Sequence, residues 1–162
     1  MNHENVLDQY RRKITPELYK QIRLEWKTHS IAEDGRDIPG LMSTLTDDCV
    51  YELAQTDHKW YGKEGATRFY TELLSAFPDI HFDLQNIVIG PQGVFEEANV
   101  TATHEGDWLE YKATGEHIEF DVIILFPWDL EKAKFSGERV YVFGLEEALG
   151  LDVGATTQTG EA

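Results

Sequence analysis

The spacing of apolar residues changes at Pro78, and this change constrains the fold more than any other feature of the sequence. Before Pro78, six apolar or aromatic side chains fall three or four positions apart: Ala66, Phe69, Tyr70, Leu73, Leu74 and Phe77. That spacing predicts a helix over Lys63–Phe77, which the proline ends. After it, Ile80, Phe82 and Leu84 alternate with polar residues, as in a strand.

The flanking segments extend this pattern. Thr15-Pro16-Glu17 has the hydroxyl, proline and acid of a helix start and predicts a helix to about Ser30, while Ile38–Leu45 fits a short second helix. Cys49–Ala54 is typical of a short strand. Strand-like runs then cover 80–89, 94–108, 116–128 and 134–143. Helices followed by strands predict an α+β fold, a curved antiparallel sheet wrapped around N-terminal helices, whose concave face suits a small-molecule cavity.

Length and composition indicate one folded domain. The chain has 162 residues with 41% apolar side chains, enough for a single core. We expect an N-terminal arm over 1–13, one domain over 14–150 and a disordered tail over 151–162. The longest apolar stretch, Val122–Trp128, is too short to span a membrane, and Met1–Lys13 has no apolar segment typical of a signal peptide. The expected location is therefore the cytoplasm.

The charge argues against several classes of partner. The net charge is −16, and residues 31–162 carry 26 acidic against eight basic side chains, so we expect no nucleic acid partner. Cys49 is the single cysteine and is expected to be a buried side chain. No metal-ligand spacing or glycine-rich phosphate loop occurs, so we expect neither a metal nor an organic cofactor.

Two titratable side chains stand out on strand-like runs. Alternation places Asp121 on the face of Ile123 and Leu125, where burial would raise its pKa toward the range of a general base; a strand-end aspartate paired with a cation is the open alternative. His104 shares its face with small residues and Trp108, which leaves room for proton transfer near neutral pH; a structural histidine bonded to an acid is equally open. The remaining histidines are expected to be exposed, apart from His58 near the cavity mouth.

Glu138-Arg139-Val140-Tyr141 places opposite charges on opposite faces of the last strand. One of the two charges is expected to point inward, where it needs a partner. If Arg139 points inward, Asp121 or Glu119 is the candidate partner. Tyr141 is a possible hydrogen-bond donor to a substrate oxygen, or a core residue.

Several short segments, taken in order, resemble one family: Trp60-Tyr61-Gly62, Ala76-Phe77-Pro78-Asp79, Thr103-His104-Glu105-Gly106-Asp107-Trp108, Ala113-Thr114-Gly115 and Glu138-Arg139-Val140-Tyr141. Over about residues 15–150 the chain resembles the SnoaL-like polyketide cyclases and the related ester cyclase-type proteins. These belong to the cone-shaped α+β superfamily typified by nuclear transport factor two.

The resemblance implies cofactor-free acid–base catalysis inside the cone. In the polyketide cyclases an aspartate shuttles a proton at a carbon next to carbonyls, and a histidine assists; the matching positions are Asp121 and His104. The sequence departs from the family pattern at Ala102, at Glu105 and at Phe143-Gly144. These departures keep the histidine, but they make the expected substrate pocket different from that of the family pattern.

Two functional hypotheses follow. The first is a cyclase, isomerase or lyase acting on a small apolar carbonyl compound, with Asp121 and His104 as catalytic residues. Its expected substrate-binding residues are Tyr51, His58, Trp60, Trp108 and Tyr141. The second is a non-catalytic module that binds a small ligand or only dimerises. In both cases the strand 118–125, which is apolar on both faces, predicts a homodimer through the outer face of the sheet.

Overall fold

The computed structural model describes residues 6–151 and contains five helices and a six-stranded sheet. Along the chain, helices come before, between and after the strands. The helices are α1 (Val6–Arg11), α2 (Pro16–Asp34), α3 (Ile38–Ser43), α4 (Gly62–Ala76) and α5 (Leu145–Ala148). The strands are β1 (Leu45–Leu53), β2 (Lys59–Tyr61), β3 (His81–Gly90), β4 (Gly93–Thr103), β5 (His117–Asp129) and β6 (Lys134–Phe143). The predicted α+β class is confirmed.

The two longest helices begin where the sequence predicts. The Oγ1 atom of Thr15 accepts a hydrogen bond of 3.1 Å from the backbone N–H of Leu18, and α2 then continues to Asp34, four residues beyond the predicted end. Helix α4 lies within one residue of its predicted bounds at each end, and its buried face carries Phe69 and Tyr70. Both helices therefore bury the stripe that the periodicity indicates.

The sheet has the order β2-β1-β6-β5-β4-β3, and it is mixed rather than wholly antiparallel. Every neighbouring pair is antiparallel except β1 and β6, which run parallel. This corrects the expectation of an antiparallel sheet. Strands β1 and β2 also precede α4, so the helices and strands are not fully separated along the chain. A parallel pair requires a long crossover, and here α4 and four strands (β2, β3, β4 and β5) lie within it.

The helices cover one face of the sheet. Along β5, Ile118, Phe120, Val122 and Ile124 are buried, whereas Glu119 and Asp121 are exposed on the opposite face. The alternation that the sequence predicts for this strand is confirmed. The inner face holds the core, and the outer face carries a mixture of polar and partly exposed apolar side chains.

The ends of the chain add short helices. Helix α1 falls in the expected N-terminal arm and is followed by Arg12, whose Nη1 donates to the Pro91 carbonyl over 2.9 Å, in the β3–β4 turn. Except for Leu151, the expected tail over 151–162 lies outside the described residues. Among residues 6–151, no helix is both long and apolar enough to cross a membrane.

Gly137 makes the parallel pairing possible and provides a first prediction. Its φ is +122°, and a Cβ atom there would lie 1.9 Å from the Val50 carbonyl oxygen of the neighbouring strand. Gly137→Ala should therefore lower the free energy of unfolding by about 3 kcal/mol, measured by urea denaturation.

Gly115→Ala is the matched control. Gly115 also has a positive φ, +72°, but nothing lies within 4 Å of the added Cβ, so the expected loss is only about 1 kcal/mol. Equal losses for the two variants would contradict the role assigned to the close β1–β6 contact.

Candidate functional site

A buried carboxylate lies at the centre of the inner face of the sheet. The Oε1 atom of Glu138, on β6, accepts hydrogen bonds from the hydroxyls of Tyr51 on β1 (2.8 Å) and Tyr70 on α4 (2.6 Å). The Nε2 atom of His29, on α2, lies 3.0 Å from the same oxygen. Four elements of the fold thus converge on one atom. The Oε2 atom receives no hydrogen bond from the described residues.

The alternation of β6 explains why this carboxylate is inside. Glu138 and Val140 point to the inner face, and Glu138 is only 4% exposed. Arg139 points outward, 3.9 Å from Glu52 and with its guanidinium over the ring of Tyr141. An inward Arg139 paired with Asp121 or Glu119 is therefore wrong, because the helices cover the face that Glu138 occupies.

His29 is held from its other side as well. Its Nδ1 atom lies 2.7 Å from the Oγ1 of Thr44, and its ring packs edge-on against Phe126. The expectation that His29 is exposed is wrong, since the side chain is 1% exposed. A signal was present in the sequence: His29 lies three positions after Trp26, which ends the apolar stripe of the helix.

Two more glutamates line a cavity next to this cluster. The cavity has a volume of about 180 Å³, and its lining includes Trp26, His29, Glu33, Phe82, Glu96 and Phe126. The Oε2 atom of Glu96 accepts a hydrogen bond of 3.0 Å from the Trp26 indole N–H. Its Oε1 atom receives no hydrogen bond from the described part of the chain. Acidic and aromatic groups therefore share this cavity.

Burial changes the acidity of the surrounding groups. It raises the pKa of Glu96 to about 7, and the negative charge of Glu138 adds to the effect. Burial, together with the charges of Glu138 and Glu96, raises the pKa of Glu33 well above its usual value. The pKa values of Tyr51 and Tyr70 are also raised, by burial and then by Glu138, so both hydroxyls keep their protons. The site combines a hydrogen-bonded carboxyl group, Glu138, with Glu96, which can be protonated at neutral pH.

A second, larger cavity lies toward the other end of the inner face. Its volume is about 460 Å³, within the range of small-molecule sites, and its lining includes Leu53, His58, Trp108, Val140, Val142 and Leu145. Its polar rim includes the pair formed by His58 and Glu110, 3.5 Å apart. Glu138 itself lines neither cavity, but its neighbours do: His29 lines the smaller one, and Val140, two residues further along β6, lines the larger one.

Comparison with known proteins identifies the family. The sequence profile of the SnoaL-like polyketide cyclases matches residues 26–134. The chain belongs to this family. A comparison with curated proteins gives no match. The SnoaL-like fold of the chain is also found in solved structures.

A SnoaL-like polyketide cyclase, so assigned, from Jannaschia sp. CCS1 has a TM-score of 0.74 at 16% identity, covering 89% of this chain and 99% of that one. AclR from Streptomyces galilaeus, assigned as a hydroxylase, has a TM-score of 0.66 at 19% identity, with 82% and 97% covered. An LEH-like epoxide hydrolase from M. tuberculosis has a TM-score of 0.63 at 16% identity, with 85% and 87% covered. Identities this low show the shared fold alone.

The structure does not bring the two SnoaL-like catalytic candidates into one cavity. The carboxylate of Asp121 lies exposed on the outer face, 3.1 Å from the Nδ2 of Asn99. His104 is fully buried, with its Nδ1 3.3 Å from the Thr114 hydroxyl and its ring stacked on Phe77. Neither residue lines the two cavities described above. Their catalytic roles stay predictions.

The expected substrate-binding residues separate into three groups. His58 and Trp108 line the larger cavity. Tyr51 belongs to the Glu138 cluster, and Trp60 is buried beneath the His58 ring, with which it stacks at 6.2 Å. Tyr141 lies on the outer face under Arg139. Within residues 6–151, no group of three or more His, Cys, Asp or Glu side chains is arranged to hold a metal ion.

The raised pKa of Glu96 predicts a pH-dependent stability. The usual value of 4.5 becomes about 7 in the folded chain, so the folded state binds this proton more tightly than the unfolded state. The resulting stabilisation is complete below the unfolded pKa and is lost as the pH rises through the folded one, by up to roughly 3 kcal/mol. Glu96→Gln should remove this contribution while keeping an acceptor for Trp26.

The measurement is the free energy of urea unfolding at about pH 5 and at about pH 8. Most of the loss of stabilisation that the titration of Glu96 causes falls between these two pH values. The decrease between them should be smaller in Glu96→Gln than in the unmodified chain. Glu97→Gln is the control, because Glu97 is the exposed neighbour on the outer face. An unchanged decrease in Glu96→Gln would contradict the buried, protonatable state of Glu96.

Proposed function

We propose that this SnoaL-like protein is a cofactor-free acid–base enzyme that moves a proton on a small apolar carbonyl compound bound at the inner face. The observation that carries the proposal is the Glu138 cluster: a buried carboxylate with Tyr51, Tyr70 and His29 around one oxygen and no hydrogen bond to the other. The Oε2 atom forms no hydrogen bond with the described residues and is not fully enclosed, so it is the oxygen left open to a substrate proton.

Glu138 is the proposed general base. Two phenol O–H donors and His29 hold Oε1, which fixes the plane of the carboxylate and leaves the Oε2 lone pairs for a substrate proton. When Oε2 takes a proton from the carbon next to a carbonyl, the C–H electron pair moves into a new C=C bond. The negative charge then develops on the carbonyl oxygen, which needs a donor.

Glu96 is the proposed acid that supplies this donor. With a pKa of about 7 it is protonated in a large fraction of molecules at neutral pH, and it lines the smaller cavity. Trp26 holds its Oε2 and leaves Oε1 for the substrate oxygen. Carboxyls whose surroundings give them different protonation states are the usual arrangement for paired acid and base roles.

The same first step serves several reactions. The enolate can attack a second carbonyl and close a ring, receive the proton at another carbon, or expel a leaving group; these are the cyclase, isomerase and lyase reactions. The apolar walls from Trp26, Phe82 and Phe126 support an apolar substrate body. In each reaction the proton on Glu138 returns to substrate or product, so neither metal nor redox cofactor enters the proposal.

A non-catalytic binding role is the second candidate. The larger cavity, with its apolar wall of Leu53, Val140 and Leu145, has the volume of a ligand site and lacks the Glu33 and Glu96 carboxyls. A ligand held there without chemistry at Glu138 would make the protein a carrier or sensor. The two candidates differ in whether a bound carbonyl compound exchanges its acidic hydrogen with water.

The enzyme proposal is tested by exchange of carbon-bound hydrogen for deuterium in heavy water. Apolar ketones and β-dicarbonyl compounds that raise the melting temperature are incubated with the protein, and exchange is followed by proton NMR. Glu138→Gln should slow exchange by about 100-fold or more, because an amide cannot accept the proton. Asp121→Asn should leave exchange unchanged.

The pair of variants separates the two assignments. If Asp121→Asn abolishes exchange and Glu138→Gln does not, the base is Asp121, as the family resemblance implies, and our assignment fails. If no compound that binds undergoes exchange, the binding role replaces the enzyme. Circular dichroism of each variant shows whether the fold is retained.

We also propose that the protein forms a homodimer through the outer face of the sheet. Neighbouring strands place an apolar band there: Val88, Phe95, Ile123, Leu125, Tyr141 and Phe143. Val88 and Phe143 are 56% and 43% exposed, because the helices cover the opposite face of the sheet. Apolar groups in a contiguous band favour burial against a partner, and a second copy offers the same band.

Leu125→Asp should therefore give a monomer. Leu125 is near the centre of the band and pairs in register with Arg139, which can neutralise an added carboxylate in the monomer. Sedimentation at micromolar concentration should give the dimer mass for the unmodified chain and the monomer mass for the variant. Thr101→Asp, at the polar end of the same face, should stay a dimer. A monomeric unmodified chain would contradict the proposal.

A further inference from the structure

The hydrogen bonds around His29 determine where its protons are. The hydroxyl of Thr44 donates its one proton to the Leu41 carbonyl, over 2.7 Å. The contact of 2.7 Å between Thr44 Oγ1 and His29 Nδ1 therefore needs a proton from the ring. Nδ1 is protonated.

The other ring nitrogen faces a carboxylate oxygen. The distance from Nε2 to Glu138 Oε1 is 3.0 Å, and that oxygen already accepts from Tyr51 and Tyr70. Without a proton between them, two lone pairs would face each other inside the core. Tyr70 is not an alternative donor to Nε2, since its hydroxyl lies 3.1 Å from the nitrogen and 2.6 Å from Oε1.

We infer that His29 is a buried imidazolium paired with the Glu138 carboxylate, and that it is a positioning residue that keeps Oε1 occupied and leaves Oε2 unprotonated and free to accept a proton. The part about Oε2 rests on the proposed function. The charge state of the pair rests only on the contacts above.

The surroundings favour this charge distribution over a neutral pair. An oxygen that already accepts two phenol hydrogen bonds is stabilised as an anion, so the proton belongs on the nitrogen. The titratable groups around the ring come from every layer: Glu33 on α2, Tyr51 on β1, Tyr70 on α4, Glu96 on β4 and Glu138 on β6. Strand β5 contributes only the Phe126 ring.

All of these groups are neutral or negative. No lysine or arginine is among the buried side chains of residues 6–151. An imidazolium at His29 is therefore the buried cation that offsets the glutamates. Burying such a charge is favourable only with a partner in contact, which Glu138 supplies.

The ion pair helps Glu138 to release the proton that it takes from the substrate. When Oε2 takes a proton from substrate carbon, Glu138 becomes a neutral acid and the imidazolium keeps both of its protons. The cluster then has gained one positive charge, which favours release of the proton from Oε2 to the enolate or to another position on it. The proton is conserved through the cycle, and His29 itself transfers none.

The test reads the charge directly by 15N NMR of the ring nitrogens, on the full chain without substrate. The pH is set so that the exposed His81 and His117 are neutral in the same spectrum. His29 should show both nitrogens protonated. Its signals are assigned by single His→Gln changes at the other histidines, so that His29 stays intact.

A neutral ring protonated only on Nδ1 would overturn the inference. The proton expected on Nε2 would then be on Glu138 or absent. Glu138→Gln should convert His29 to that neutral form, whereas Glu96→Gln, a matched change in the same cluster, should leave it an imidazolium. Conversion by neither variant would also contradict the pairing. Because no turnover is measured, an imidazolium without hydrogen–deuterium exchange would leave this inference standing and remove the proposed function alone.

Discussion

Burial of the Glu138 carboxylate is the constraint on which the arrangement of the inner face depends. A buried carboxylate without partners is strongly unfavourable, so hydrogen-bond donors must reach it from the surrounding elements. They come from α2, β1 and α4, which lie on both sides of β6 in the fold. The positions of these elements over the sheet are thus tied to one oxygen atom, and a shift of any of them would remove one of its three partners.

Much of the fold could be predicted because it follows from local patterns. The bounds of β6 agree with the prediction, Lys134–Phe143, and α4 differs by one residue at each end, since periodicity and the stop at Pro78 are both local. The parallel pairing of β1 with β6 could not be predicted in this way. It joins segments far apart in the chain, and no spacing within either segment records its partner.

The site was harder to predict, because alternation gives two faces of a strand but not which one the helices cover. For β5 both faces are apolar, and Asp121 lies on the uncovered one. For β6 the same ambiguity separates Glu138 from Arg139, and only the tertiary structure decides between them. His29 is different, since the stripe of α2 contained the signal. The acidic cavity was missed because its residues come from four segments that are distant in the chain.

The contact between Tyr51 and Glu138 spans 87 positions of the chain. Contacts so distant in sequence require closure of a long loop, and non-local pairing of this kind slows folding. Any partly folded species that lacks the docked last strand has no assembled base and no filled inner face. The proton-transfer chemistry proposed here would accordingly be confined to molecules that have finished folding, and a nascent chain would remain inert until its final strand emerged.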